Sequence, residues 1–167
     1  MVLGADGRCE LCNPDGWRRA RLAKQTEVQR WLDAHGLTYA SYDRTVEHGA
    51  CGLERPDFVF DHGTHVTVLE VDEHQHESYA EACECARMVN LHQSFGGLPV
   101  RFVRYNPDAY RVGGHKRAPS FHRRMQTLAR VLARARAAPP PPDVPLSFCR
   151  LFFDGADATP FEPIGVL

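Results

Sequence analysis

The chain has 167 residues, of which 43% are hydrophobic and 25% are charged, and its formal net charge is -1. This size and composition predict one globular domain over residues 1–167 with a sizeable core. The sequence contains no apolar run of membrane-spanning length and no apolar signal segment at its N-terminus. We therefore expect an intracellular protein, cytoplasmic or nuclear, without a membrane partner.

Charge is distributed unevenly along the chain. Between Glu54 and Glu84 nine residues are acidic, and Arg55 is the only arginine or lysine. Between Arg111 and Pro142 no residue is acidic and eight are arginine or lysine. An acidic centre followed by a basic arm suits a metal site that must also attract a polyanion.

Two short motifs have the spacing of zinc ligands. Residues 1–16 form an irregular extension that contains Cys9-Glu10-Leu11-Cys12, and His48-Gly49-Ala50-Cys51 has the spacing of a second half-site. One structural Zn²⁺ would then have the ligands Cys9, Cys12, His48 and Cys51. Cys149 or another histidine could replace His48, and two unrelated pairs of reduced thiols are the alternative.

Residues 17–35 predict a helix that ends at Gly36. Four apolar residues recur at helical spacing, and they are Ala20, Ala23, Trp31 and Ala34. Glu27 falls on the same stripe. It is either directed at a site or an edge residue that reaches solvent.

Ser41–Val46 predicts the first strand, and residues 56–61 and 65–72 have the alternation of two more. The short polar break His62-Gly63-Thr64 predicts that the second and third strands pair as a hairpin. The charged residues of these strands interrupt strongly apolar segments. They are therefore candidates for a site, and a solvated acidic edge strand is the alternative.

Three carboxylates are expected to converge on this hairpin. Side chains two residues apart share a face of a strand, so Glu70 and Asp72 point the same way. If Asp57 faces that side, the three meet beside His74-Gln75-His76. Like charges this close are costly unless something neutralises them, which a hard divalent cation with oxygen ligands does.

The remaining hydrophobic pattern and its glycine, proline and serine boundaries predict five further segments. They are a helix over 77–95, a strand over 99–105, a polar loop over 106–118, a helix over 120–137, and a strand over 146–153 after a Pro-rich linker. Ser120 is the predicted N-cap of the second of these helices. Its apolar stripe is Phe121, Met125, Leu128 and Leu132, and the opposite face has Arg123, Arg130 and Arg134.

The hairpin residues resemble a known family. Pro56-Asp57, a hairpin and Glu70-x-Asp72 follow the signature of the PD-(D/E)XK, restriction-endonuclease-like nucleases, in which lysine usually stands where this chain has Asp72. The form of the motif in this chain, with Asp72 in place of lysine, is more similar to a branch found in large DNA viruses and algae. That branch also resembles the very-short-patch repair endonucleases. The likeness covers roughly residues 20–112 and includes Arg55-Pro56-Asp57-Phe58, Cys83-Glu84-x-x-Arg87-Met88 and Arg104-Tyr105-Asn106-Pro107-Asp108-Ala109-Tyr110.

The resemblance implies a mixed α/β fold with a restriction-endonuclease-like core of helix, three strands, helix and strand. The segments are then a zinc-knuckle extension (1–16), the nuclease core (17–112), a basic helix (113–138), a linker (139–145), and a C-terminal strand and tail (146–167). The antiparallel hairpin distinguishes this order from a doubly wound fold.

The function that the resemblance implies is a DNA endonuclease dependent on Mg²⁺ or Mn²⁺, of a homing or repair type. Asp57, Glu70 and the Val71 carbonyl would hold the metal, and Glu27 matches the glutamate that the family's first helix often supplies. Asp72 cannot supply the positive charge of the missing lysine, but it could hold a second ion or act as a base towards water. Gln75, His76 or Arg87 would then provide donors. Arg87 could reach a phosphate or the site carboxylates, and an i, i+3 pair with Glu84 is the alternative.

The expected DNA contacts come from the residues after the hairpin, and they are Arg87, Arg104, Asn106, Lys116, Arg117, Arg123, Arg130 and Arg134. Double-strand cutting would need a homodimer, for which the sequence gives no signal. Two rival functions stay open. One is a DNA-binding module with a degenerate nuclease site, and the other is a metal enzyme that acts on a small substrate.

Overall fold

The structure is a computed structural model that describes residues 22–46, 54–73, 81–141 and 143–164, and of residues 81–84 the backbone alone. The chain forms two compact units, Met1–Leu37 and Thr38–Leu167. The first contains helix α1, Ala23–Ala34. After it Gly36 adopts a φ of +66°, the left-handed conformation of the predicted helix stop.

The buried face of α1 differs from the predicted apolar stripe, so that prediction is wrong. Ala23 and Ala34 are exposed. The buried side chains are those of Gln25, Val28 and Leu32. Burying valine and leucine removes more apolar area from water than burying alanine does. The face of α1 that contains Val28 and Leu32 is therefore the buried one.

The described residues of the second unit form eleven elements. In chain order they are β1 (Ser41–Tyr42), β2 (Phe58–Asp61), β3 (Val66–Val71), α2 (Glu81–Ser94), β4 (Val100–Tyr105), β5 (Tyr110–Val112), β6 (His115–Arg117), α3 (Phe121–Ala137), β7 (Leu146–Phe153), β8 (Ala156–Ala158) and β9 (Glu162–Pro163). The predicted mixed α/β class is confirmed.

A seven-stranded mixed sheet has the order β1-β2-β3-β4-β7-β8, with β9 paired to β7. The strands β1, β2 and β3 are antiparallel, and β3, β4 and β7 are parallel. The turn of the β2–β3 hairpin contains Gly63 with a φ of +77°. In the parallel part Glu70 lies opposite Arg104 in register. The carboxyl ends of β3, β4 and β7 therefore form one edge of the sheet.

Helices α2 and α3 cover opposite faces of this sheet. Val66, Val68, Val100 and Phe102 pack in one cluster with Leu91 of α2. The alternate residues of β3 and β4 point to the other face, where α3 contacts both strands. There His65 Nε2 donates to the carbonyl oxygen of Ala135 in α3 at 2.7 Å.

Several predicted boundaries are confirmed. The last predicted strand is β7, with the predicted residues Leu146–Phe153. Ser120 caps α3, because its Oγ accepts from the Arg123 backbone N–H at 3.4 Å. Two expectations are corrected. The predicted polar loop contains the β5–β6 hairpin, and the first strand has two residues because Asp43 adopts a φ of +48°.

Candidate functional site

Asp57, Glu70 and Asp72 come together at the open end of the β2–β3 hairpin. Phe58 pairs with Leu69 in register, so Asp57, one residue earlier, lies beside Glu70. The Val71 backbone N–H donates to Asp57 Oδ2 at 2.7 Å. The hairpin therefore brings a carboxyl from the start of β2 to those at the end of β3.

Glu70 is 5% exposed and is paired with an arginine of α2. Arg87 Nη2 lies 3.0 Å from Glu70 Oε1, and Arg87 Nε lies 3.3 Å from Glu54 Oε2. The same guanidinium donates to the Arg55 carbonyl oxygen at 3.3 Å. Arg87 thus bridges two carboxylates and the chain segment before Asp57.

Asp72 is fully buried and is paired with an arginine of β4. Arg104 Nε donates to Asp72 Oδ2 at 2.5 Å, and Arg104 is itself 8% exposed. The Asp72 backbone N–H donates to the Tyr105 carbonyl oxygen at 2.8 Å. Arg104 was expected to contact DNA. It is buried within the carboxylate cluster, because the parallel register sets β4 beside β3.

Burial and mutual repulsion perturb these carboxyls strongly. The pKa of Glu70 is raised from 4.5 to about 8, mainly by burial and also by Asp57 and Asp72, against the lowering effect of Arg87. Burial also raises the pKa of Asp57 to about 6, against the lowering effect of the Val71 N–H. The pair Asp57 and Glu70 therefore binds protons near neutral pH unless another cation replaces them.

Among the described residues no group of three or more histidine, cysteine, aspartate or glutamate side chains is arranged to hold a metal ion. Glu70 Oε1 is nevertheless buried, and no donor of the described residues is aligned on it as a hydrogen bond. Its 3.0 Å contact with Arg87 is an ion pair without that alignment. Mg²⁺ and Mn²⁺ prefer oxygen ligands. The carboxylates of Asp57 and Glu70 therefore fit such an ion if Arg87 no longer pairs with Glu70.

Other predicted site residues belong to the first unit or lie outside the described residues. Glu27 is exposed on α1, which belongs to the first unit. Gln75, His76 and the zinc candidates Cys9, Cys12, His48 and Cys51 lie outside the described residues. Cys149, the alternative ligand, is a buried free thiol of β7 whose pKa is raised by burial to about 12. It is therefore a residue of the core.

Asn106 was expected to bind DNA, but it is fully buried. Its Nδ2 donates to the Phe152 carbonyl oxygen at 2.7 Å, and its Oδ1 accepts from the Asp108 backbone N–H at 2.8 Å. Asn106 therefore fixes the turn that follows β4. Beyond it, Lys116 and Arg117 are exposed on β6. Arg117 Nη1 lies 3.3 Å from Asp157 Oδ1.

Sequence analysis missed two residues, Glu54 and Arg124. Glu54 accepts from Arg87 and also from Asn90 Nδ2 at 3.1 Å. It could not be found from local spacing, because its partners lie on α2. Arg124 is 3% exposed and stands on the apolar face of α3. Its position three residues after Phe121 and four before Leu128 was the available signal.

The three arginines predicted to contact DNA on α3 are exposed, and they are Arg123, Arg130 and Arg134. They lie on the layer opposite α2, whereas Glu70 faces Arg87 of α2. The arginine row and the carboxylate cluster are thus separated by the sheet. Helical amphipathicity predicts exposure, but it does not predict which face of a sheet a helix covers.

No described helix is long and apolar enough to cross a membrane. Comparisons of the chain with models of protein families, with curated proteins and with solved structures found no match.

Proposed function

We propose that the protein is a metal-dependent phosphodiesterase that cleaves DNA, built on a restriction-endonuclease-like core. The observation that carries this proposal is the convergence of three carboxyls at the open end of one hairpin. Glu70 and Asp72 are buried, and Asp57 is half-buried and accepts from the Val71 N–H between them. Burying like charges is costly, and a purely structural role would not need three of them. A bound cation would neutralise these like charges, which explains why the cluster is present.

Asp57 and Glu70 are the residues that would hold Mg²⁺ or Mn²⁺, and the Val71 carbonyl is the third candidate ligand. Such an ion supplies polarisation of the scissile phosphate and a lowered pKa of bound water. The Val71 N–H fixes the orientation of Asp57. Arg87 neutralises Glu70 until the cation is present and retains Glu54 as its partner afterwards.

Arg104 supplies positive charge near the place where the resembled family has lysine. Asp72 holds its guanidinium at 2.5 Å, and Glu70 lies opposite Arg104 in the sheet register. Asp72 therefore acts as a positioning residue for Arg104. This differs from the expectation that Gln75, His76 or Arg87 alone would provide donors, and it assigns the stabilisation of developing phosphate charge to Arg104 and Arg87 together.

DNA would approach the edge of the sheet at which β3, β4 and β7 end. The β5–β6 hairpin follows β4 at this edge, and its Arg111, His115 and Lys116 are exposed. Tyr110 anchors the hairpin, because its hydroxyl donates to Asp157. A hairpin with exposed basic residues beside a carboxylate site suits contact with phosphates that flank the scissile bond.

A DNA-binding module with a degenerate site is the second candidate. The observation that favours it is that Arg87 and Arg104 already neutralise Glu70 and Asp72 without a metal ion. Carboxylates paired in this way no longer repel DNA strongly, so their presence does not by itself require catalysis. The two functions differ in whether cleavage occurs and whether it depends on a divalent cation.

The test is cleavage of supercoiled plasmid by wild type, Asp57→Asn and Glu70→Gln in Mg²⁺, Mn²⁺ and EDTA. We expect cation-dependent cleavage by wild type. In each variant the rate of cleavage should fall at least about 100-fold, because removing a group that stabilises the transition state has an effect of this size. The matched control is Glu162→Gln, because Glu162 is exposed on β9. DNA binding without cleavage by wild type would favour the binding module, and full activity of Asp57→Asn would remove Asp57 from the site.

A further inference from the structure

The C-terminal half of α3 and the neighbouring start of β4 form a concentrated basic surface. Arg130, Arg134 and Arg136 are exposed on α3, which has no acidic residue. Burial lowers the pKa of Arg101 on β4, and Arg134 lowers it further. Burial likewise lowers the pKa of His62, with contributions from His65 and Arg136. These five residues, Arg130, Arg134, Arg136, Arg101 and His62, are called the basic end.

The basic end lies far from the carboxylate cluster. His62 and Arg101 are at the edge where β3 and β4 begin, whereas Glu70 and Asp72 are at the edge where β3 ends. The six residues of β3 span about 20 Å, which separates the two edges. The basic end also lies on the α3 layer, and Glu70 faces α2. A phosphate bound at one place cannot contact the other.

Asp61 is an acidic neighbour of the basic end, and it raises the pKa of His62 against the lowering effects. Asp61, at the start of the β2–β3 turn, accepts from the Gly63 backbone N–H at 2.8 Å. Arg101 itself donates to the Pro139 carbonyl oxygen at 3.4 Å and lies over the Phe161 ring at 4.7 Å from its centroid. This leaves an excess of positive charge at the basic end.

The exposed face of α3 favours a nucleic acid over a lipid surface. Its exposed residues are arginine, histidine, glutamine and alanine, without a large apolar side chain, and they are His122, Arg123, Gln126, Arg130, Ala133, Arg134, Arg136 and Ala137. Helices that bind membranes at the interface insert leucine, phenylalanine or tryptophan. A phosphate backbone needs only the charge, and DNA presents a negative charge about every 3.4 Å along each strand.

We propose that the basic end is a second nucleic-acid surface, which holds the backbone of a duplex segment other than the one at the carboxylate edge. Calling it the second surface rests on the proposed function, because that function places the first duplex at the carboxylate cluster. The contact between the basic end and phosphates does not depend on the proposed function. The chain would then bring two duplex segments together, one at each edge of the sheet. The contacts are to phosphates, so this surface has no sequence preference.

The test compares two variants of equal charge change. The basic-end variant is Arg130→Gln/Arg134→Gln/Arg136→Gln. The matched control is Arg111→Gln/Lys116→Gln/Arg117→Gln on the β5–β6 hairpin, at the edge where β3, β4 and β7 end. Binding of a short labelled duplex is measured in EDTA as a function of salt, and stoichiometry is measured with duplex in excess. Circular dichroism confirms that both variants are folded.

We expect wild type to bind two short duplexes and each variant to bind one. At the altered surface the slope of log affinity against log salt should fall by about 0.9 for each phosphate that the variant no longer neutralises. One duplex per wild-type chain, or an unchanged salt slope in the basic-end variant, would overturn the inference. Binding of the basic end to vesicles of phosphatidylserine and phosphatidylcholine, but not to duplex, would also overturn it.

Cleavage of plasmid with Mg²⁺ is recorded in parallel. If the proposed function fails, wild type binds two duplexes without cutting either. If the present inference fails, wild type cuts DNA but binds one duplex. The two failures are therefore distinguishable with the same preparations.

Discussion

Arg124→Gln tests whether the buried arginine of α3 holds the second unit together. Its Nη1 donates to the Asn106 carbonyl oxygen and its Nη2 to the Asp108 carbonyl oxygen, each at 2.7 Å. Its Nε donates to the Pro119 carbonyl oxygen at 3.2 Å. The guanidinium also lies over the Phe152 ring at 4.8 Å from the centroid. Arg124 thus ties α3 to the turn after β4 and to β7.

The expected loss of stability follows from these contacts. Hydrogen bonds to a charged group contribute about 1.5–3 kcal/mol each, and the acceptors left without a donor are partly buried. The three bonds share one group and are not additive, so we expect Arg124→Gln to lower the free energy of unfolding by about 3–5 kcal/mol. In a unit of this size the melting temperature would fall by roughly 10 °C.

The matched control is Arg123→Gln, because Arg123 is the exposed neighbour on the same helix. A surface substitution of this kind changes stability by about 0.5 kcal/mol or less. Urea denaturation followed by far-ultraviolet circular dichroism measures both variants. A loss below about 1 kcal/mol for Arg124→Gln, or equal losses for both variants, would refute the assignment of Arg124 to the core.

Two other predictions concern Glu70 and zinc. Because the pKa of Glu70 is raised from 4.5 to about 8, the folded protein keeps a proton that the unfolded chain loses, so stability in EDTA falls as pH rises through this interval. At about 1.4 kcal/mol per pH unit, Glu70→Gln should gain on the order of 5 kcal/mol relative to wild type between pH 4.5 and pH 8; a pH-independent difference would contradict this. Purified, reduced protein should contain about one zinc per chain by elemental analysis. The zinc should be lost in Cys9→Ser/Cys12→Ser, and its persistence there would place the ligands elsewhere.

The hairpin and the strand β7 were predictable because their signals are local. Residues 56–72 contain two alternating segments around His62-Gly63-Thr64, and the turn needs little more than Gly63. Ser120 likewise determines the start of α3 through a contact three residues away. The same reasoning missed the β5–β6 hairpin. Its residues His115–Arg117 are all exposed and polar, so the alternation that marks a strand is absent.

The partners of the carboxylates were predictable only in part. Glu70 and Asp72 were placed on one face by strand alternation. Their neutralisation by Arg87 and Arg104 depends on how α2 and β4 return to β3. Arg87 was expected near the site, whereas Arg104 was assigned to DNA, so its pair with Asp72 was not predicted. Arg124 shows the converse case, because its place on the apolar stripe was visible while its carbonyl partners were not.

The central claim is that Asp57 and Glu70 hold a divalent cation that Arg87 replaces in its absence. The direct measurement is an anomalous-difference map from crystals soaked in Mn²⁺ at a concentration that supports cleavage. The account predicts one peak within roughly 2.2 Å of carboxylate oxygens of both Asp57 and Glu70, with Arg87 moved from Glu70 towards Glu54. A map without that peak, in which Arg87 is still paired with Glu70, would contradict it.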